Sequence, residues 1–285
     1  MSSHTLDPQL HRSVILGDVF RDTRAKLSRN AKTDTAVVFV HGFNGHPVKT
    51  WVDFSGLVDN GRGAAEWASS DLFFFDYCDV TKSIDDSSDD LEVFLEGIYP
   101  KPFPIVQLLC NEIRGQDKSQ EVTYSKLILV GHSEGAIIIR SCIAEIGKKS
   151  QMSGASPLTQ NAQLILFAPA LFGFMPTYWL GLVSQLFPFK QIMDLLVAGS
   201  PAAAEMRDFI TLDQIRHETE ELSRQFPADQ AYVAHVVFGQ NEEVVRKKRY
   251  FQDVKYSAIP GKNHVAICKP DHEYLFPLNF VRGRE

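Results

Sequence analysis

Ser133 lies at the centre of Gly131-His132-Ser133-Glu134-Gly135. The unbroken apolar run before it, Leu127 to Val130, predicts a buried strand. The run after it, Ala136 to Ile139, predicts the start of an apolar helix. A serine on such a strand-to-helix corner stands clear of the sheet, and glycines on both sides remove β-carbons that would collide with the neighbouring elements. The first N–H groups of the helix then face any anion that forms at the serine. This arrangement suits attack on a carbonyl, but a serine hydroxyl is a poor nucleophile unless a base accepts its proton. The base should be a histidine, itself oriented by a carboxylate. His264, in Gly261-Lys-Asn-His264-Val-Ala-Ile-Cys-Lys-Pro270, sits in a loop after a strand and is the best candidate. His272 competes from beyond Pro270, and His235 falls within a strand, where a core role suits it better. Glu242 stands three residues after Gly239, at the end of another strand, and is the candidate acid. Glu243 is the alternative; Asn241 carries no charge. Both glutamates would also suit a helix start, where the dipole favours them.

An oxyanion hole needs two N–H donors. One should be the backbone of Glu134, after the nucleophile. The other should come from the loop His41-Gly-Phe-Asn-Gly-His-Pro47, where Gly42 allows close approach and Phe43 offers its N–H. His41 and His132, beside these glycines, are expected to shape the loops by hydrogen bonding rather than to carry protons.

These groups need a rigid frame. Ala36–Val40, Asp71–Phe75, Leu127–Val130, Leu164–Ala168, Ala231–Phe238 and Val254–Ile259 read as strands, several of them continuous β-branched or aromatic runs that suit burial on both faces. Helical segments alternate with them, which predicts a mostly parallel central sheet covered on both faces. Residues 9–29 read as an N-terminal helix or arm. Asp85 to Asp90 should open a helix, its aspartates complementing the dipole; a calcium site is the remote alternative. Leu91 to Arg114, interrupted by Pro100, Pro102 and Pro104, reads as two short helices around a turn. The stretch of about sixty residues from Leu171 to Asp229 is too long for a simple crossover and points to a helical cap insertion at 171–229 within a single domain spanning 1–285. Its first half is aromatic, and Phe172, Phe174 and Trp179 could line an apolar substrate pocket or simply pack the cap. Its second half, Glu205 to Arg224, reads as a charged amphipathic helix or pair.

Composition narrows the partners. The 285 residues carry a formal charge of −6, which argues against a nucleic-acid surface. The basic run Arg246–Arg249 is short and reads as a solvated helix face. Cys78, Cys110, Cys142 and Cys268 are widely spaced, as for reduced thiols in a cytoplasmic protein, and the polar stretch from Met1 to Arg12 has no secretory character. Pro169, Gly173, Pro176, Gly181 and Pro188 interrupt the uncharged stretch Asn161–Phe189, so no transmembrane segment is expected. Its apolar character would still suit peripheral contact with a membrane. Oligomeric state is not legible.

Three blocks, Phe39 to Trp51, Gly131 to Gly135 and Asn263 to Pro270, occur together with the chain order serine, acid, histidine. On these the chain resembles the α/β-hydrolase superfamily over nearly its whole length. Within it, the chain looks like the branch that contains the GPI inositol-deacylase-like and mitochondrial serine-active-site lipid-remodelling proteins. In that branch an HG-x-x-G-HP…TW block supplies the oxyanion loop and an H-x-x-x-C-K block holds the base. The resemblance implies hydrolysis or transfer of ester or lipid acyl groups by Ser133, His264 and an acidic partner, with a small-molecule or lipid ester as substrate and no metal or organic cofactor. Two positions depart from it. Glu134 replaces a leucine or methionine, and its side chain would repel anionic substrates if it reached the pocket mouth; the acid is glutamate where aspartate is commoner. The reading from another class is a non-catalytic hydrolase-fold binding or signalling protein.

Overall fold

A computed structural model describes residues 10–20, 22–43, 45–51, 54, 67–77, 82–154, 156–175 and 209–283. Its centre is two strands with every residue buried, β3 (Thr35–Val40) and β4 (Ser70–Phe75), together with β5 (Lys126–His132) and β6 (Ala162–Phe167). Continuous apolar runs are what a strand needs when both faces are covered. The sheet has eight strands in the order β1-β2-β4-β3-β5-β6-β7-β9, with β7 at Ala234–Val237 and β9 at Val254–Lys255. Every pair from β4 to β9 is parallel.

The antiparallel margin departs from the sequence expectation. From sequence, residues 9–29 read as a helix or an arm. Instead β1 (His11–Ile15) and β2 (Arg24–Ser28) pair antiparallel around a single helical turn, α1 (Gly17–Phe20). Ala25 and Leu27 are buried while Arg24 faces out, the two-residue period of a strand. Docking β2 on β4 satisfies its backbone in the sheet, and that long-range pairing overrides local helical preference.

Helix α2 (Ile84–Ile98) begins with a capping box: Ser83 and Asp86 each bond the other's backbone N–H. The acidic run is therefore a helix start, and no group of three or more metal-binding side chains occurs among the described residues. The prolines end α2, and α3 (Pro104–Arg114) starts with Pro104 in its first turn and stops at Gly115. Helix α4 (Glu134–Ser153) follows β5; α2 and α6 (Phe209–Gln225) pack on it. A short helix, α5 (Pro157–Asn161), leads into β6, and α7 (Phe276–Val281) closes the described chain. Within the stretch 171–229, residues Phe209–Gln225 form α6, as the charged second half was expected to be helical, while 176–208 lie outside the described residues. No described helix is long and apolar enough to cross a membrane. Cys110, Cys142 and Cys268 are free and buried, and burial pushes the Cys110 and Cys268 thiols up to about 12. Cys78 lies outside the described residues.

One further difference matters for the site. The expected strand Val254–Ile259 is divided: Val254–Lys255 joins the main sheet, whereas β10 (Ile259–Asn263) leaves it and pairs in parallel with β8 (Gly239–Asn241). Asn263 lies opposite Asn241, so the next residues, His264 and Glu242, emerge side by side.

Candidate active site

Ser133 occupies the turn from β5 to α4 with φ 55° and ψ −118°, a conformation that costs a non-glycine residue about 1–3 kcal/mol. The end of β6 holds it there. The Ser133 N–H donates to the Phe167 carbonyl at 3.1 Å, and the Ser133 carbonyl accepts from Ala170 N–H at 3.1 Å. Close packing around the turn also dictates glycine: a β-carbon on Gly135 would lie 2.3 Å from the carbonyl oxygens of Val40 and His41. Gly42 has the same role on the facing loop, where a β-carbon would come within 2.8 Å of Ser133 Cβ.

His264 and Ser133 line one cavity of about 280 Å³, which Phe43, His132, Phe174 and Val265 also border. His264 Nδ1 lies 3.1 and 3.0 Å from Glu242 Oε1 and Oε2, and both side chains are buried. Glu242 Oε1 also accepts N–H groups from Val244 and Val245 at 2.9 and 3.1 Å, which fixes the carboxylate. The residues after Glu242 form no helix. Val245 bridges to Phe174, and the run Arg246–Arg249 continues as a loop rather than the expected helix face; backbone bonds of Val244 and Arg246 to residues 173–175 hold its start extended. Glu243 is exposed, as is His272, which is not among the residues lining the cavity. His235 is half-buried and bonds Tyr256 Oη at 2.8 Å.

A carboxylate on Nδ1 keeps the proton at that nitrogen and leaves Nε2 as the basic site. With a strained serine in the same cavity, these groups can activate a hydroxyl nucleophile. Glu134 is the first residue of α4, whose opening N–H groups have no acceptor within the helix, and Phe43 borders the cavity from the opposite loop.

Two of the three aromatic candidates can be placed. Phe174 lines the cavity. Phe172 does not; it packs edge-on against Tyr250 with ring centres 6.0 Å apart, under the Lys248 ammonium. Trp179 lies outside the described residues. The Glu134 side chain turns away from the cavity mouth and is buried, where Oε2 accepts from Tyr77 Oη at 3.1 Å. The carboxylate is therefore not at the pocket mouth. Sequence reading missed this contact, since Tyr77 carries no pattern of its own.

The histidines beside the two turns do structural work. His41 Nδ1 bonds the Gly42 carbonyl at 2.9 Å and its ring stacks on Tyr77. His132 Nε2–H donates to the His264 carbonyl at 2.9 Å and so braces the His264 backbone. Burial, followed by the nearby His264 and Lys269, pushes the His132 pKa down to about 3. His132 is thus neutral when folded, whereas an exposed histidine protonates near 6.5. Unfolding then takes up one proton between those values, and stability falls as pH drops from about 6.5 toward 3. In urea unfolding, the wild-type advantage over His132→Gln should shrink by up to about 1.4 kcal/mol per pH unit below pH 6. A constant advantage would show that His132 is not held neutral.

No protein-family model matches the chain, and no curated protein matches it in sequence. The structure is similar to that of the mature lipase BlEst2 of Bacillus licheniformis, with a TM-score of 0.55 at 15% identity over 90% of this chain and 96% of that one. The same lipase in its propeptide form gives 0.52 at 14% identity, over 90% of this chain and 53% of that one. The chain has the α/β-hydrolase fold. Within the α/β-hydrolase fold, the Ser133 turn follows β5 at the middle of the sheet. Glu242 and His264 come from the small β8–β10 pair at its far side.

Proposed function

We propose that this chain is a serine hydrolase of carboxylic esters. The observation that carries the reading is the Glu242–His264 pair, 3.0 Å apart and buried, beside the strained Ser133 in one cavity. Ser133 Oγ attacks the ester carbonyl as His264 Nε2 takes its proton. The backbone N–H groups of Phe43 and Glu134 receive the oxyanion. His264 then protonates the departing alcohol, leaving an acyl group on Ser133, and activates the water that releases the acid. Glu242 stabilises the imidazolium formed in each half. The cavity holds roughly nine water-sized groups, which suits a short acyl chain against Phe43, Phe174 and Val265.

We further assign the chain to the GPI inositol-deacylase-like branch on its three sequence blocks, and regard 171–229 as a cap on a single domain. A fluorophosphonate probe tests the core of the reading, because only an activated serine displaces its fluoride. Wild type should be labelled covalently and Ser133→Ala should not. Equal labelling of the two proteins would reject Ser133 as the nucleophile.

A further inference from the structure

The cavity around Ser133 is bordered by two lysines, Lys49 and Lys269, and, among the described residues, by no aspartate or glutamate. In a chain with 35 acidic and 29 basic residues, such a lining runs against the overall charge. Neither lysine forms an ion pair among the described residues, whereas Lys82, Lys101, Lys148 and Lys149 all do. The two approach from distant parts of the chain. Lys49 opens a 3-10 turn, Lys49–Trp51, anchored by the buried Trp51. Lys269 follows the buried Cys268, whose thiol contacts the Thr50 carbonyl at 3.9 Å. That contact joins the segments carrying both lysines at the rim.

His46 borders the same cavity. His46 Nδ1 accepts the N–H groups of Val48 and Lys49 at 3.1 and 3.3 Å, so its ring proton resides on Nε2. Burial and the adjacent Lys49 lower its pKa, which keeps the ring neutral and a donor only at Nε2. Glu134, the residue after Ser133, is buried, and its carboxylate accepts from Tyr77 Oη. Two lysines and a histidine therefore border a cavity to which no described aspartate or glutamate contributes.

We propose that the ester cleaved at Ser133 carries a negative charge, a carboxylate or a phosphate, bound between Lys49 and Lys269. This rests on the hydrolase reading of Ser133. The charge belongs to a part of the substrate that does not react, so it adds no step to the chemistry. It orients the ester and excludes neutral analogues, which would leave the lysines unmatched.

The test compares matched esters: 4-(butyryloxy)benzoate against its neutral methyl ester, and dibutyryl glycerol phosphate against dibutyryl glycerol. Wild type should favour the anionic member of each pair in kcat/KM by about tenfold, the combined effect of two solvent-screened ion pairs. That ratio should approach one in Lys49→Gln/Lys269→Gln and in 0.5 M salt, where screening is strong. Vesicles of phosphatidylcholine with and without phosphatidate separate a lipid source from a soluble one; preference for the anion in either arm supports the proposal. Binding of monobutyl phosphate to Ser133→Ala, with and without the two lysine changes, is read independently of turnover and should weaken about tenfold without them. An anionic-to-neutral ratio identical in wild type and the double variant, or lysine-independent phosphate binding, overturns the proposal. If wild type cleaves none of these esters while lysine-dependent binding persists, the hydrolase reading fails and the anion site stands.

Discussion

Glu242→Gln should fold normally and lose about 10⁴ in kcat toward a model ester at neutral pH. The reason is which oxygen does what. Oε1 of Glu242 accepts the N–H groups of Val244 and Val245, so the glutamine oxygen will take that place. Its NH2 then occupies the position of Oε2, 3.0 Å from His264 Nδ1. An amide donating to Nδ1 forces the imidazole proton onto Nε2, the nitrogen that must accept from Ser133. The ring stays in place but cannot act as a base. Loss of the negative charge also removes stabilisation from the imidazolium. The effect should fall on kcat far more than on KM, because both consequences arise after binding. Glu243→Gln, an exposed neighbour, serves as the control and should stay within about twofold. A Glu242→Gln enzyme within tenfold of wild type would mean that Glu242 does not orient His264.

How the site was legible in sequence depends on the range of the interactions involved. The Ser133 turn is local: a strand, two glycines and a helix within a dozen residues, so periodicity and residue type suffice to place it. Glu242 and His264 could be named because each follows a recognisable apolar run. What could not be seen is why they meet. That depends on β10 leaving the main sheet to pair with β8, and Val254–Ile259 reads as one unbroken strand until its partners are known. The same limit explains why the N-terminal stretch did not read as strands. The alternation in Arg24–Ser28 spans only five residues, too few to outweigh a helical reading, and β4 decides the matter from residues 70–75. Lys49 and Lys269 were visible within the two flanking blocks, but a lone lysine beside a loop carries no meaning until the intervening chain brings the two to one cavity. Side-chain direction was the least accessible feature. Glu134 could be placed next to the nucleophile, yet only the neighbouring Tyr77 shows that its carboxylate turns inward.

The largest effect on stability is expected at Asp253. Its carboxylate and the Arg140 guanidinium are bonded to each other and wholly excluded from solvent. Asp253 Oδ1 also accepts from Ala234 N–H at 2.9 Å and Oδ2 from Tyr250 N–H at 3.1 Å. Arg140 donates to the Tyr232 carbonyl at 3.1 Å and lies 4.9 Å from the centre of the Tyr250 ring. Asp253→Ala therefore strands a buried cation and two backbone donors, and should cost about 3–5 kcal/mol in urea unfolding. Removing both charges is a different matter. Arg140→Met/Asp253→Leu leaves no buried ion, and it should be more stable than Asp253→Ala despite carrying two changes. The pair also bears on the site. Arg140 lies on α4, the helix that Ser133 begins, while Asp253 precedes β9 and the segment that leads to His264. Its burial ties the nucleophile's helix to the far edge of the sheet. In the double variant the apolar replacement preserves that packing, so fluorophosphonate labelling of Ser133 should survive even where Asp253→Ala unfolds. Loss of less than about 1 kcal/mol in Asp253→Ala would show that water reaches Arg140 and that the tie is weak.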